Sequence, residues 1–271
     1  MVQLGGTFGT MLVRLWRPDN PRGSVFCIHG FEGNGGDFDY LANHLVQYGF
    51  MTVCPDMIGR GKSSFFRDAS KYNVNAYLIC LAALSKYAGK KNYFLGTSWG
   101  GVLAMAFLAG AGIKAEKLVL NDVSLRGSPA ADRLTALIRQ EASFEFNRIE
   151  EAYAYVRRTR AFLGKIPEAL WPDYLQNRVR LENGKYRLAY DPMTVPAARV
   201  EIYDRIPLLE KINAEVLLLY GEHSQLFDAE AVAKATSSRT GVSCISVPGA
   251  AHPLSLMTRE QALLVSDFLT S

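Results

Sequence analysis

Asn92-Tyr93-Phe94-Leu95-Gly96-Thr97-Ser98-Trp99-Gly100-Gly101-Val102-Leu103 decides the fold. A β-type apolar run, 92–96, leads directly into Gly96-Thr97-Ser98-Trp99-Gly100, and an apolar helical run, 99–109, follows at once. The pentapeptide matches the G-x-S-x-G nucleophile elbow, in which a serine sits on a sharp strand-to-helix turn. The glycines have a steric reason. Side chains at those two positions would collide with the backbone of the neighbouring strand and helix. The helix that follows points its N-terminus at the serine, where the helix dipole favours developing negative charge. Ser98 is therefore the candidate nucleophile.

Outward from this turn, strand and helix signals alternate. Residues 11–16, 24–28, 50–54, 92–96 and 117–120 read as strands. Residues 38–48, 74–88 and 99–109 read as helices, with Gly49 and Gly89 behind the first two as stop signals. Such alternation implies parallel βαβ units with helices on both faces. From 128 to 205 the pattern changes to several amphipathic helices broken by Pro167, Pro172, Pro192 and Pro196. Strand signals return at 215–220 and 242–247, with helices at 229–236 and 258–269. The expectation is an α/β core formed by 1–127 and 206–271, interrupted after its sixth strand by a helical cap at 128–205.

Two histidines stand just after strands. His29-Gly30-Phe31 ends the run 24–28. In elbow-containing folds this loop supplies one oxyanion-hole amide, and the residue after the nucleophile supplies the other. The backbone N–H groups of Phe31 and Trp99 are the candidates. His29 is expected to hydrogen-bond the loop that it shapes. The second histidine lies in Val247-Pro248-Gly249-Ala250-Ala251-His252-Pro253, a small-residue loop after the last strand. His252 is the expected general base, because a serine hydroxyl needs a neighbouring proton acceptor and imidazole titrates in the right range. His44 and His223 have no such setting and read as packing or surface residues.

On these motifs the chain resembles the α/β-hydrolase superfamily over almost its whole length. Pro55-Asp56-Met57-Ile58-Gly59-Arg60-Gly61-Lys62-Ser63 resembles that superfamily's D-x-x-G-x-G-x-S loop. Leu118-Val119-Leu120-Asn121-Asp122 and Tyr186-Arg187-Leu188-Ala189-Tyr190-Asp191-Pro192 are similar to a bacterial hydrolase branch. The resemblance places the catalytic acid in the loop after the strand 215–220. Here that loop reads Gly221-Glu222-His223-Ser224-Gln225-Leu226-Phe227-Asp228, and the acid position falls on Ser224 or Gln225. Glu222 stands too close to the strand end. Asp228 stands too late and reads as an N-cap. The superfamily's alternative place is the end of the preceding strand, which makes Asp122 the candidate acid.

The implied activity is carboxylesterase-like: hydrolysis of an ester, thioester or amide of a small-molecule substrate through an acyl-enzyme on Ser98. The same residues would serve a carbon–carbon bond hydrolase of a β-diketone-type compound, or a homologue that binds its ligand without turnover. No metal or organic cofactor is implied. Phe31, Trp99, Trp171 and the tyrosines of 128–205 point to an apolar or aromatic acyl group, or simply to packing of the cap. Gly59-Arg60-Gly61-Lys62-Ser63 lacks the first glycine of a P-loop, since Asp56 stands in its place, and Gly30, Gly33, Gly35 and Gly36 do not have dinucleotide spacing.

The 271 residues suit one large α/β domain, with or without an insertion. A net charge of +4, with basic residues such as Arg60 and Arg178 scattered rather than clustered, reads as a mixed surface and not as a nucleic-acid footprint. Cys27, Cys54, Cys80 and Cys244 form no metal or redox pair and read as buried free thiols. No basic segment followed by an apolar stretch opens the chain, and the apolar run 99–113 is too short to span a bilayer. A cytoplasmic protein without membrane or nucleic-acid partners is expected.

Overall fold

A computed structural model describes residues 1–4, 9–66, 68–110, 113–127, 129–160, 166–198 and 204–271. The first half runs β3 (Val13–Trp16), β4 (Gly23–Ile28), α1 (Asp39–Gln47), β5 (Phe50–Pro55), α2 (Val74–Ala83), β6 (Asn92–Thr97), α3 (Trp99–Gly110) and β7 (Lys117–Asn121). Ahead of it β1 (Val2–Gln3) and β2 (Thr10–Met11) form a separate antiparallel pair. The second half supplies α7 (Ile206–Glu210), β10 (Glu215–Gly221), α8 (Ala229–Ser238), β11 (Val242–Val247) and α9 (Arg259–Thr270). The seven-stranded sheet has the order β11-β10-β7-β6-β4-β5-β3. Every pairing in it is parallel except β3 with β5.

Burial explains why the strands read as continuous apolar runs. Every residue of β4 and of β7 is buried, as expected where helices cover both faces. Along β7 the side chains alternate between two cores. Leu118 and Leu120 join the core that holds Leu103 and Met105 of α3. Val119 joins the one that holds Leu41 of α1 and Leu269 of α9. At the open edge β11 is exposed from Ser243 to Ser246, so Cys244 is a solvent-facing thiol; Cys27, Cys54 and Cys80 are buried as expected. No described helix is long and apolar enough to cross a membrane.

Between β7 and α7 lie α4 (Pro129–Glu141), α5 (Ile149–Thr159) and α6 (Trp171–Arg178), followed by β8 (Val179–Glu182) and β9 (Lys185–Leu188). Two findings differ from the sequence expectation. This segment is not wholly helical, because β8 and β9 form an antiparallel hairpin. Its turn is Asn183-Gly184, with φ of 50° and 75°, the left-handed pair that a two-residue hairpin turn requires. The segment also follows the seventh strand along the chain rather than the sixth, since β1 was not expected and the expected strand 11–16 divides into β2 and β3. Ser128, the expected first residue of the cap, and 199–203 near its end lie outside the described residues.

This segment is tied to loops at the carboxyl ends of the strands. Asn34 Nδ2 donates to the Asn177 carbonyl at 2.5 Å, the Gly61 amide to the Ala189 carbonyl at 2.7 Å, and the Asp191 amide to the Gly59 carbonyl at 2.8 Å. This is the edge of the sheet where an α/β fold places its site.

Candidate active site

Ser98 occupies the sharp turn between β6 and α3, with a left-handed φ of 50°. A Cβ on Gly96 would meet Gly101 Cα, and one on Gly100 would meet the Ile28 carbonyl oxygen, so the two glycines allow the turn to close. The Ser98 amide donates to the Asn121 carbonyl at 2.9 Å, which ties the elbow to the end of β7. Asn121 in turn donates from Nδ2 to Thr97 Oγ1 at 3.1 Å and to the Leu254 carbonyl at 3.0 Å. The last contact holds the loop that carries His252 beside the elbow.

His252 Nε2 stands 3.1 Å from Ser98 Oγ. Its Nδ1 stands 3.1 Å from Asp122 Oδ1, although the ring N–H is not aligned as in a well-formed hydrogen bond. With a carboxylate facing Nδ1, the ring proton belongs there and Nε2 is left to accept from the serine. Asp122 has no exposed side-chain area, and its own φ is 54°. Its charge is met by Ser224 Oγ, which donates to Oδ1 at 2.6 Å, and by the Gly221 amide, which donates to Oδ2 at 3.2 Å. The three residues singled out from the sequence thus meet in one place.

The other carboxylates of the loop after β10 point elsewhere. Glu222 is largely exposed and accepts from the Gly249 amide at 2.8 Å. Asp228 caps α8, accepting from the Ala231 amide at 3.0 Å. Gln225 accepts from Arg133 at the surface, and His223 is 68% exposed. His44 contacts Ser266 Oγ at 3.0 Å, far along the chain from the site residues.

His29 is buried and committed to backbone at both nitrogens. Nδ1 donates to the Gly30 carbonyl at 2.7 Å, and Nε2 accepts from the Met57 amide at 3.0 Å. Burial pushes its pKa down to about 3, so it stays neutral, and with both nitrogens taken by backbone it has no lone pair to offer Ser98. The D-x-x-G-x-G-x-S loop is braced similarly. Asp56 accepts from the Gly35 and Lys62 amides, each at 2.8 Å.

Arg60 departs from the reading of scattered surface charge. It is wholly buried, and its guanidinium lies 4.6 Å from the Phe31 ring centre, 4.8 Å from that of Trp99 and 5.3 Å from that of Tyr77. It donates from Nε to the Phe31 carbonyl at 2.9 Å and from Nη1 to Tyr77 Oη at 2.6 Å. No carboxylate pairs with it among the described residues. The cation is held by rings and carbonyls, and it clamps the side chains of both residues whose amides are the oxyanion candidates. Those amides, of Phe31 and Trp99, have no acceptor among the described residues. Phe31 and Trp99 pack edge to face at 5.6 Å, while Trp171 packs on Tyr174 at 5.5 Å.

Arg160 and Arg178 are a second set of buried charges, and Arg178, like Arg60, departs from the reading of scattered surface charge. Arg160 grips Glu141 with two bonds of 2.7 and 2.8 Å and also pairs with Glu32, the residue after Phe31. Burial opposes the Glu32 charge, but the Arg160 guanidinium outweighs it and holds the carboxyl below its usual range. Arg178 pairs with Asp37 at 2.7 Å and donates to the Glu32 carbonyl at 3.1 Å. The segment between β7 and α7 is thereby fixed by charge to the loop after β4. Among the described residues, no three His, Cys, Asp or Glu side chains gather as metal ligands would.

Comparison with known proteins identifies the family of the fold. Residues 23–256 match the family model described as alpha/beta hydrolase fold. The chain is 29% identical over 267 residues to a 3-hydroxybutyrate-oligomer hydrolase of Cupriavidus necator, covering 93% of this chain and 90% of that one. It is 26% identical over 257 residues to a 2-(acetamidomethylene)succinate hydrolase of Mesorhizobium japonicum, covering 90% and 87%. Among solved structures, an alpha/beta hydrolase from Novosphingobium aromaticivorans superposes with a TM-score of 0.79 at 26% identity, covering 95% of this chain and 93% of that one.

Proposed function

The chain belongs to the α/β-hydrolase family, and from that premise we propose that it is a serine hydrolase cleaving a small-molecule ester through an acyl-enzyme on Ser98. The observation that carries the reading is the relay Ser98–His252–Asp122, with both approaches at 3.1 Å. Ser98 Oγ attacks the carbonyl carbon while His252 Nε2 takes its proton. The imidazolium is stabilised by Asp122, and the new oxyanion is held by the Phe31 and Trp99 amides. His252 then protonates the leaving alcohol, and water repeats the sequence on the acyl-enzyme. An ester is favoured over a thioester or amide by the likeness to a hydrolase of 3-hydroxybutyrate oligomers.

In this reading, 128–205 acts as a cap over the carboxyl ends of the strands, anchored through Arg160 and Arg178. The acyl group is apolar or aromatic, since Phe31 and Trp99 border the two amides.

Steady-state hydrolysis of p-nitrophenyl esters of increasing chain length tests the proposal. Ser98→Ala and His252→Ala should each lower kcat/KM by roughly 10⁴-fold or more, and the double variant little further, as for residues that act as a unit. Additive losses would refute their cooperation.

A further inference from the structure

Ser224 stands where the superfamily's acid is usually found, and the proposed reaction gives it no task. Its hydroxyl is nevertheless bound to the acid. An ionised carboxylate only accepts hydrogen bonds, so the contact of 2.6 Å runs from Ser224 Oγ–H to Asp122 Oδ1. The orientation of the hydroxyl is fixed from behind, because the Leu226 amide donates to the same Oγ at 3.1 Å. The backbone is fixed as well, with the Ser224 amide donating to the Gly221 carbonyl at 2.9 Å. Oδ1 is also the oxygen that faces His252 Nδ1 at 3.1 Å. One oxygen is therefore shared between a serine that already bonds to it well and an imidazole not yet aligned.

We propose that Ser224 is a positioning residue for Asp122: its hydroxyl holds Oδ1 at the place where the imidazolium of His252 must find it. The proposal rests on the reading that Asp122 orients His252. The physical argument is that, among the described residues, the Ser224 hydroxyl and the Gly221 amide are the hydrogen-bond donors to the buried Asp122 carboxylate, one on each oxygen. Charge-assisted bonds from a neutral donor are strong and directional. Without the hydroxyl, Oδ1 keeps its charge but loses the donor that sets its direction, while the Gly221 amide holds only the other oxygen. The loss then falls on the step in which imidazolium forms, and ground-state binding of the ester is unaffected.

The test is a double-mutant cycle on the full chain, reading kcat and KM for a p-nitrophenyl ester in Ser224→Ala, Asp122→Asn and the double variant. Ser224→Ala should lower kcat about tenfold with KM within about twofold, the scale of one lost bond to a charged group. In the Asp122→Asn background the same change should cost less than about twofold, since the two residues share one effect. Ser224→Thr keeps the hydroxyl and should keep kcat within about threefold of the parent, which separates loss of the bond from damage to the loop. The proposal is overturned if Ser224→Ala leaves kcat unchanged, if its loss is the same in both backgrounds, or if a folded Ser224→Thr is as impaired as Ser224→Ala. Should Asp122→Asn itself keep full activity, the acid assignment falls, and the role of Ser224 with it.

Discussion

The loops that follow β7 and β10 end two neighbouring parallel strands, and they divide one task unequally. Asn121 of β7 lies level with Leu219 of β10, and the Asp122 amide donates to the Leu219 carbonyl at 2.7 Å. Both loops meet at the Asp122 carboxylate. The β7 loop brings a buried carboxylate to His252, while the β10 loop brings Ser224, a donor to that carboxylate, and keeps its own Glu222 and Asp228 for the Gly249 amide and the N-cap of α8. The space beside His252 Nδ1 is thus bordered by the ends of two neighbouring strands, and β7 supplies the carboxylate that fills it. Adjacent strand ends are about 4.8 Å apart, within the reach of one side chain.

The largest effect should come from removing the carboxylate on the β7 side. Asp122→Asn should lower kcat by roughly 10⁴-fold, the loss known when a triad acid becomes an amide and the wrong imidazole tautomer is favoured. Glu222→Gln should stay within about twofold of the parent, because its carboxylate serves the Gly249 amide and the exposed His223 rather than His252. Comparable losses for the two would erase the difference between the loops.

A swap sharpens the comparison. In the Asp122→Asn background, Ser224→Asp places a carboxylate on the β10 side, and kcat/KM should recover by about tenfold or more if the space beside Nδ1 is what matters. No recovery in a folded double variant would tie the task to β7 alone.

The smallest effect belongs to Asp228. As the N-cap of α8 it should cost about 1 kcal/mol of stability when changed to alanine, with kcat unchanged. Denaturant melts and activity on the same preparation check this. A drop in kcat at unchanged stability would give the β10 loop a part in the chemistry.

How much of this was legible in the sequence depends on how local each device is. The elbow was readable, because Gly96, Ser98 and Gly100 carry their steric reason within five residues. His252 was readable from its loop and its place after the last strand. Asp122 was reached through the resemblance, as the superfamily's alternative acid position, since its partners Ser224 and Gly221 come from about a hundred positions away. The hydroxyl of Ser224 as a donor was invisible for the same reason. Arg60 was misread as surface charge, because its cage is built by Phe31, Tyr77 and Trp99 from three separate stretches. Arg160 and Arg178 likewise sit in polar, helix-like sequence, and only tertiary contacts reveal Glu32, Glu141 and Asp37 against them. The hairpin is a different case. Asn183-Gly184 is a strong turn signal between alternating residues, but the surrounding helical patterning overrode it.

The central claim is that Ser98 is the nucleophile activated by His252. Intact-mass and peptide-mapping analysis after treatment with a fluorophosphonate tests it most directly. The account predicts a single phosphonyl group per chain, located on Ser98, absent in Ser98→Ala and formed far more slowly in His252→Ala. A chain that stays unlabelled, or a label on another residue that persists in Ser98→Ala, would contradict it.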